Sequence, residues 1–527
     1  MRRVLPIVAA GVGSGVLTIL PFPDLGWWVV APIALVPLLV AVPSLGLRGA
    51  LLTGWITGAV SLAGIFHWIV PTAVNLAQFP TWAAALVLGA YAIVYGLNGA
   101  AMAVALRTIL RLPLPAWAAV LLAPAAVVAV DFVGPHLFPF TLGNTYWRVP
   151  LLIQGADVTG IEGATYVTVA VSTAIALALR DLWARRRPSL LPGGVAIVLL
   201  AAWLAYGAVR LQSVREDEAA APVLRLLLVQ PDARPDERRS RDPKVRDGLV
   251  DRLIAMSRTA DRTGVDAVIW PEGAFPYEWV ATTGAGAVTY QVRAARLVKE
   301  MVREVGIPLV FGAITRPDER GRNSMLMLGP DGEEANRYDK RLLLAFGEYM
   351  PLSDTFPWLK GRVPGVGNLR EGEAFGAFTI AGHVAAPSVC YEAVQAGLTR
   401  EAVVAVDAGL ILNVTNDGWF GTSGAPRQHL MDQVPRAVEL RRPVVRATMT
   451  GISAVVRASG DLVGETGVYE RATVVVEVPV PTDPERTVFA VVGRAFAWAC
   501  FAATVAALFA ALVAYRKGKK SRSTTTG

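Results

Sequence analysis

Cysteine is scarce in this chain, with two among 527 residues. One of them, Cys390, stands in A-P-S-V-C-Y-E at the end of a short apolar run, Val384 to Val389, that reads as a strand. The residues after it, Tyr391 to Arg400, can continue as a helix. A thiol on a strand-to-helix turn sits at a sheet edge, beside the backbone N–H of its successor, and is placed to act as a nucleophile. A small buried residue is the blander account of a lone cysteine. Two other stretches weigh against it: W-P-E-G at Trp270 to Gly273, and Y-D-K at Tyr338 to Lys340. Each puts an ionisable group just past a predicted strand, where α/β proteins collect their chemistry. Glu272, held in a rigid turn by Pro271, can accept the thiol proton. Lys340 and the Tyr391 N–H can stabilise a tetrahedral oxyanion. Taken singly, Glu272 and Lys340 read as surface charges; with Cys390 they make a set for acyl chemistry.

The segment that must position this set runs from residue 222 to 482 and has ordinary globular composition. It reads as alternating strands and helices: strands at Val223 to Val229, Asp266 to Trp270, Pro308 to Ile314, Ser324 to Leu328 and Gly409 to Val414, with helices at Lys244 to Thr263, Ala287 to Val305 and near Gln428 to Leu440. Paired strands fill Val444 to Arg457 and Ala472 to Val480. Pro435 should break or kink the last of those helices. The pattern predicts an α/β domain with mixed strand pairing.

The flanks differ. The whole chain is 54% hydrophobic and 17% charged, with a mean hydropathy of +0.45, beyond what a soluble protein carries. Apolar runs at 4–20, 27–43, 49–70, 82–106, 114–133, 163–179, 189–209 and 488–514 approach the ~20 residues a helix needs to cross a bilayer. That predicts eight spans, and a single signal peptide cannot account for the later seven. Residues 222–482 carry 31 Lys+Arg against 32 Asp+Glu, so the net charge of +8 lies in the apolar ends and nucleic acid is excluded as a partner. Arg2 and Arg3, Arg48, Arg107 and Arg111, Arg185 to Arg187, and the cluster from Arg516 to Arg522 all fall on one side of eight spans. The positive-inside rule makes that side cytoplasmic and puts the 222–482 segment outside, with both termini inside. No His/Cys group stands at metal-ligand spacing and His429 stands alone, so neither a metal nor an organic cofactor is expected.

W-P-E, Y-x-K and C-Y-E, in this order and 68 and 50 residues apart, resemble the Glu-Lys-Cys triad of the nitrilase superfamily. R-Y-D-K-R-L-L-L-A-F-G-E-Y-M-P at Arg337 to Pro351, N-V-T-N-D-G-W-F-G at Asn413 to Gly421, Gln428-His429, and R-A-V-E-L-R-R-P-V-V-R-A-T at Arg436 to Thr448 are similar to the bacterial apolipoprotein N-acyltransferases. The resemblance covers the whole chain. It implies a seven-span membrane domain at 1–221, a nitrilase-like αββα domain at 222–482 facing outward, and a closing span with a basic tail at 483–527. It further implies Glu272 as general base, Lys340 as oxyanion residue and Cys390 as the acylated nucleophile. Glu348, Tyr391 and Glu392 match supporting residues of the family; Glu348 and Glu392 could equally serve as ion-pair partners that orient Lys340. F-P-F at Phe138 to Phe140 resembles a loop lining the family's lipid-facing site. The implied donor is a membrane phospholipid and the acceptor a diacylglyceryl-modified apolipoprotein, handled by a monomer in the bacterial plasma membrane. Met449 stands where the family usually has Asn, the charged run Arg234 to Arg241 where it often has an aromatic, and Met431 to Pro435 departs from its usual helix. A membrane-anchored hydrolase, with water as second nucleophile, and a non-catalytic scaffold are the rival readings; the intact set of Glu272, Lys340 and Cys390 speaks against the scaffold.

Overall fold

The computed structural model describes residues 4–279, 289–359, 366–484 and 486–524. These fall into two compact units, one of residues 1–67, 85–211 and 491–527, the other of 68–84 and 212–490.

The first unit is helical because its segments are apolar on every face. Among the described residues, five helices are long and apolar enough to cross a membrane: Thr81–Ile109, Ala116–Val133, Glu162–Trp183, Leu190–Ala220 and Ala495–Arg516. A sixth results if the bent pair Leu47–Ile65 and Ile69–Ala77 counts as one span, and Leu5–Ile19 and Trp28–Ser44 are shorter apolar helices. Lipid supplies no hydrophobic drive between helices, so small residues let backbones approach. A Cβ on Gly54 would lie 2.2 Å from the Gly99 carbonyl oxygen, which explains why that crossing carries glycine. Two charge pairs lie inside this unit. Arg210 Nε donates to Asp157 at 3.0 Å, with the Tyr206 hydroxyl at 2.9 Å, and Arg494 meets Glu162 at 2.6 Å. Phe138 and Phe140 stack on Phe66 and Phe22.

The second unit contains two sheets. Strands β1 (Val223–Gln230), β2 (Ala267–Ile269), β3 (Glu278–Trp279), β4 (Leu309–Thr315), β5 (Arg322–Leu328), β6 (Glu334–Asp339) and β13 (Ala472–Pro479) form the first, in the order β13-β1-β2-β4-β5-β6 with β3 on β4. Strands β7 (Phe378–Ile380), β8 (His383–Val389), β9 (Leu410–Thr415), β10 (Val444–Thr448), β11 (Ala454–Val456) and β12 (Leu462–Val463) form the second, in the order β12-β11-β10-β9-β8-β7. Pairing is mixed in both, with β1, β2 and β4 parallel in one and β8, β9 and β10 parallel in the other.

Side-chain alternation builds the layers. Leu224, Leu226 and Leu228 of β1 face a core shared with Val389, Leu410, Leu412, Val414 and Val445 of the second sheet. Leu227 and Val229 face the opposite way, into a core with Leu249, Val250 and Leu253 from the helix Pro243–Thr259 and Val298 and Met301 from the helix Thr289–Val305. The helices Ala396–Val406 and Ala425–Leu440 pack on the second sheet. The layers are therefore helix, sheet, sheet, helix.

Local structure departs from expectation in two places. The helix after Cys390 starts only at Ala396, because Cys390–Val394 forms a 3-10 turn first. Ala287 and Val288, at the start of a predicted helix, lie outside the described residues, and that helix is described from Thr289. The helix Ala425–Leu440 continues through Pro435 instead of ending there. A proline inside a helix costs about 3 kcal/mol. Leu430, Met431, Val434, Ala437 and Val438 are all buried around it, and their packing offsets that local cost.

Candidate active site

Glu272, Lys340 and Cys390 each follow a strand: β2, β6 and β8 respectively. Because β5 is antiparallel to both β4 and β6, strand β6 runs in the same direction as β2 and β4. Glu272 and Lys340 therefore leave the same edge of the first sheet, and Cys390 leaves the C-terminal edge of the parallel part of the second.

The Glu272 loop lies flat on β4. Gly312 N donates to the Pro271 carbonyl at 3.1 Å, and Phe275 N to the Gly312 carbonyl at 3.2 Å. A Cβ on Gly312 would stand 2.6 Å from the Glu272 Cα, so only glycine permits this approach. Lys340 is almost wholly buried, and its Nζ lies 2.7 Å from Glu348 Oε2 and 3.9 Å from Glu272 Oε1. Burial opposes its charge, but Glu348, the Cys390 sulfur, Glu272 and Glu392 outweigh that penalty and raise its pKa. The ammonium is held charged.

Asn323, on β5, was not singled out by the sequence. Its Nδ2 donates to Glu272 Oε1 at 2.7 Å and to Glu348 Oε1 at 2.6 Å, and its carbonyl accepts from Lys340 N at 2.8 Å. One residue thus joins both carboxylates, through its side chain, and the lysine backbone, through its own carbonyl. Among the described residues no hydrogen bond engages Glu272 Oε2, which leaves that oxygen to take a proton. The only sign in the sequence was a polar start, Arg322 to Ser324, to a strand that ends apolar, a signal too common to interpret.

Cys390 has φ of +54°, a left-handed conformation that costs a non-glycine residue on the order of 1 kcal/mol. Part of the residue is accessible, yet its sulfur sits in low-dielectric surroundings. Burial and then the Glu272 charge push the thiol up to about 12, against the partial relief of Lys340 and the Thr415 hydroxyl. That hydroxyl is buried and finds no partner at good hydrogen-bond geometry, so its contact with the sulfur is loose. The thiol is therefore protonated at neutral pH, and its proton has to leave during attack.

Glu348 and Glu392 separate into different tasks. Glu348 pairs directly with Lys340 and accepts from Leu344 N at 2.8 Å. Glu392 instead ties backbone: it accepts from Val389 N at 2.8 Å, Arg341 N at 2.7 Å, Leu342 N at 3.1 Å and the Tyr338 hydroxyl at 2.8 Å. It links the segment after Lys340 to the strand before Cys390. Burial raises its pKa, opposed by Lys340 and by these donors. Tyr391 is partly exposed beside the nucleophile. His429, which stands alone in the sequence, is bonded to Asp417 at 2.8 Å. Met449 fills the core under the first sheet, and the run from Arg234 forms a short helix, Pro235–Arg239, whose Glu237 is paired with Arg252 at 2.7 Å.

A buried ammonium, a carboxylate with an open oxygen and a thiol thus lie at the strand ends of a mixed α/β fold. Residues 242–482 match the carbon-nitrogen hydrolase family, and residues 14–174 match the apolipoprotein N-acyltransferase N-terminal domain. The apolipoprotein N-acyltransferase of Geobacter metallireducens is 32% identical over 516 residues, covering 96% of this chain and 94% of that one. The corresponding protein of Bradyrhizobium diazoefficiens is 31% identical, covering 82% and 77%. An amidase from Nesterenkonia sp. is similar in structure at 24% identity, over 49% of this chain and 91% of that one, with a TM-score of 0.36. The chain belongs to the apolipoprotein N-acyltransferase family and is an acyltransferase.

Proposed function

We propose that the chain moves a fatty acyl group from a membrane phospholipid to the N-terminal amine of the diacylglyceryl-cysteine of apolipoproteins, with Glu272, Lys340 and Cys390 as the working residues. The observation that carries the reading is the meeting of Lys340 with Glu272 and Glu348 beside the Cys390 sulfur, in a chain similar to these acyltransferases over nearly its whole length.

Cys390 Sγ attacks the ester carbonyl of the donor as Glu272 Oε2 takes the thiol proton. The developing oxyanion is met by Lys340 and the Tyr391 N–H. Collapse expels the lysophospholipid alkoxide, which recovers the proton from Glu272, and leaves a thioester on Cys390. The acceptor amine then attacks that thioester while Glu272 removes an amine proton. Collapse of the second intermediate breaks the C–S bond, and the proton returns to sulfur. Two displacements through one covalent intermediate give ping-pong kinetics.

The remaining placement follows from charge. Eight spans, made of the five long helices, the bent pair and the two shorter apolar helices, put every basic loop on the cytoplasmic side of a bacterial plasma membrane. The 222–482 domain then faces outward, between a seven-span part at 1–221 and a closing span with a basic tail at 483–527. Mass spectrometry of lipoprotein N-termini from cells with and without this chain tests the function. Loss of the amide-linked acyl group on deletion supports it, and unchanged N-termini refute it.

A further inference from the structure

The charged run that opens at Arg234 has no part in the mechanism above, yet it lies against both loops that carry the chemistry. Pro235, the first residue of the short helix Pro235–Arg239, packs on the loop after β9, where a Cβ on Gly418 would stand 3.4 Å from its Cγ. Farther along the same helix, a Cβ on Gly273 would collide with Arg238 Nη2, so that guanidinium lies on the Glu272 loop. Asp417, beside Gly418, is near enough to Cys390 for its charge to bear on the thiol. The helix therefore touches the sequence neighbours of Glu272 and of Asp417.

Beside this helix is an open pocket walled by Asn75, Gln78, Arg234, Asp236, Thr422 and Tyr469, all within the second unit. Arg234 is exposed, and its guanidinium lies over the Tyr469 ring, 5.6 Å from the centroid. That ring is a fixed platform. Tyr469 holds a left-handed φ of +56°, its hydroxyl donates to the Gly418 carbonyl at 2.9 Å, and its N–H donates to the Thr450 carbonyl at 2.7 Å. Among the described residues the Arg234 side chain makes no hydrogen bond and no ion pair. The acids near it in sequence do not neutralise it. Glu237 is taken by Arg252 at 2.7 Å, Asp232 feels the Arg234 charge without reaching ion-pair distance, and Asp236 stands exposed on the pocket wall. The side-chain amides of Asn75 and Gln78 already donate to backbone carbonyls. Among the described residues that line the pocket, Arg234 thus carries the only positive charge, with its donors unspent.

We propose that Arg234, held on Tyr469, binds the phosphate of a lipid head group and so places the donor phospholipid at Cys390. A planar guanidinium fork matches two phosphate oxygens at once. A glycerophospholipid carries its phosphate only a glycerol arm away from the ester under attack. With that carbonyl at Cys390, the phosphate has to fall among the loops around the site, and Arg234 opens the helix that packs on two of them. Asp236 works against the site, since a carboxylate on the same wall repels an anion. The inference rests on the reading of Cys390 as nucleophile and of a phospholipid as donor.

The test uses the full-length protein in detergent micelles, with phosphatidylglycerol as donor because its only charge is the phosphate. Acylation is read as lysophospholipid release over a range of donor concentrations. Arg234→Gln should raise the donor KM at least about fivefold while kcat changes less, as loss of a charge-assisted contact made on binding predicts. Arg234→Lys, which keeps the charge and loses the fork, should fall between Arg234→Gln and wild type. Asp236→Asn should lower the KM, because it removes the repelling charge. Both side chains are exposed, so none of these changes empties a core. A donor KM within about twofold of wild type in Arg234→Gln overturns the inference, and so does a loss confined to kcat. Inorganic phosphate, followed by phosphorus-31 NMR, separates a head-group site from a site for a free anion. If phosphate binds wild type and not Arg234→Gln while the donor KM is unchanged, the pocket serves a free anion and the inference falls. If Cys390→Ala still turns over this donor, the nucleophile reading fails. If wild type forms the Cys390 thioester and the Arg234 variants match it in KM, that reading stands and the head-group site falls.

Discussion

Replacing Lys340 by methionine should damage stability and catalysis by separate amounts. The ammonium is almost wholly buried and lies 2.7 Å from a Glu348 that is itself only 14% exposed. Removing one member of such a pair strands the other charge, typically at a cost of about 3–5 kcal/mol. Catalysis loses an oxyanion donor, worth about 2.7–4 kcal/mol, or a hundred- to a thousandfold in rate. The double variant Lys340→Met/Glu348→Gln separates the two effects. It removes the stranded charge, and the single amide oxygen at position 348 can still accept from Asn323 or from Leu344, which donate to different oxygens of Glu348. Part of the lost stability should return, because methionine and a neutral amide replace an ion pair that burial had already made expensive. The activity should not return. The assays are thermal unfolding in detergent and single-turnover lysophospholipid release with a fluorescent phospholipid. Acylation within tenfold of wild type in Lys340→Met would refute the oxyanion role, and a double variant as unstable as the single would refute the stranded-charge argument.

Five further outcomes are expected. Gly312→Ala should displace the Glu272 loop, since its Cβ would stand 2.6 Å from the Glu272 Cα, and single-turnover acylation should fall at least about tenfold, the scale of a roughly 1 Å misplacement. Cys390→Ala should abolish the acyl-enzyme seen by intact-mass spectrometry, whereas Cys500→Ala, in the helix Ala495–Thr524, should preserve it. With the thiol pushed up to about 12, the neutral form dominates below that pH, so alkylation of Cys390 should keep rising above pH 9; a plateau near the ordinary ~8.5 would contradict the burial argument. Given phospholipid without acceptor, the wild-type protein should release about one equivalent of lysophospholipid and hold a thioester until an amine-bearing lipopeptide is added; continuous release would make water the second nucleophile. A reporter active only outside the cytoplasm should work when fused after Leu211 and fail after Arg187; the reverse would overturn the proposed orientation.

Legibility in the sequence depended on how local each signal was. Glu272, Lys340 and Cys390 were visible because each ends a strand beside residues that restrict it, Pro271, Tyr338 and Tyr391. The mixed-sheet α/β character followed from alternation and turn residues over short windows. Asn323 was not visible, because a strand asparagine bridging two carboxylates looks no different from one facing solvent. Glu348 and Glu392 could not be told apart, since both are acidic residues a few positions from a candidate catalytic group. Only the fold shows Glu348 on the lysine side chain and Glu392 on four donors, three of them backbone amides. Pro435 misled because helix-breaking is a local rule and the cost was offset by burial on all sides.

Residue order by itself determined the apolar helices, the family and the three side chains offered for chemistry, because hydropathy and motif spacing are properties of neighbours along the chain. Tertiary structure decided which oxygen of Glu272 is open, that Lys340 stays charged while Cys390 stays protonated, and that His429 pairs with Asp417. Those outcomes depend on distances of a few ångströms between residues 8 to 118 positions apart and on the water excluded around them, and neither quantity is written in local sequence.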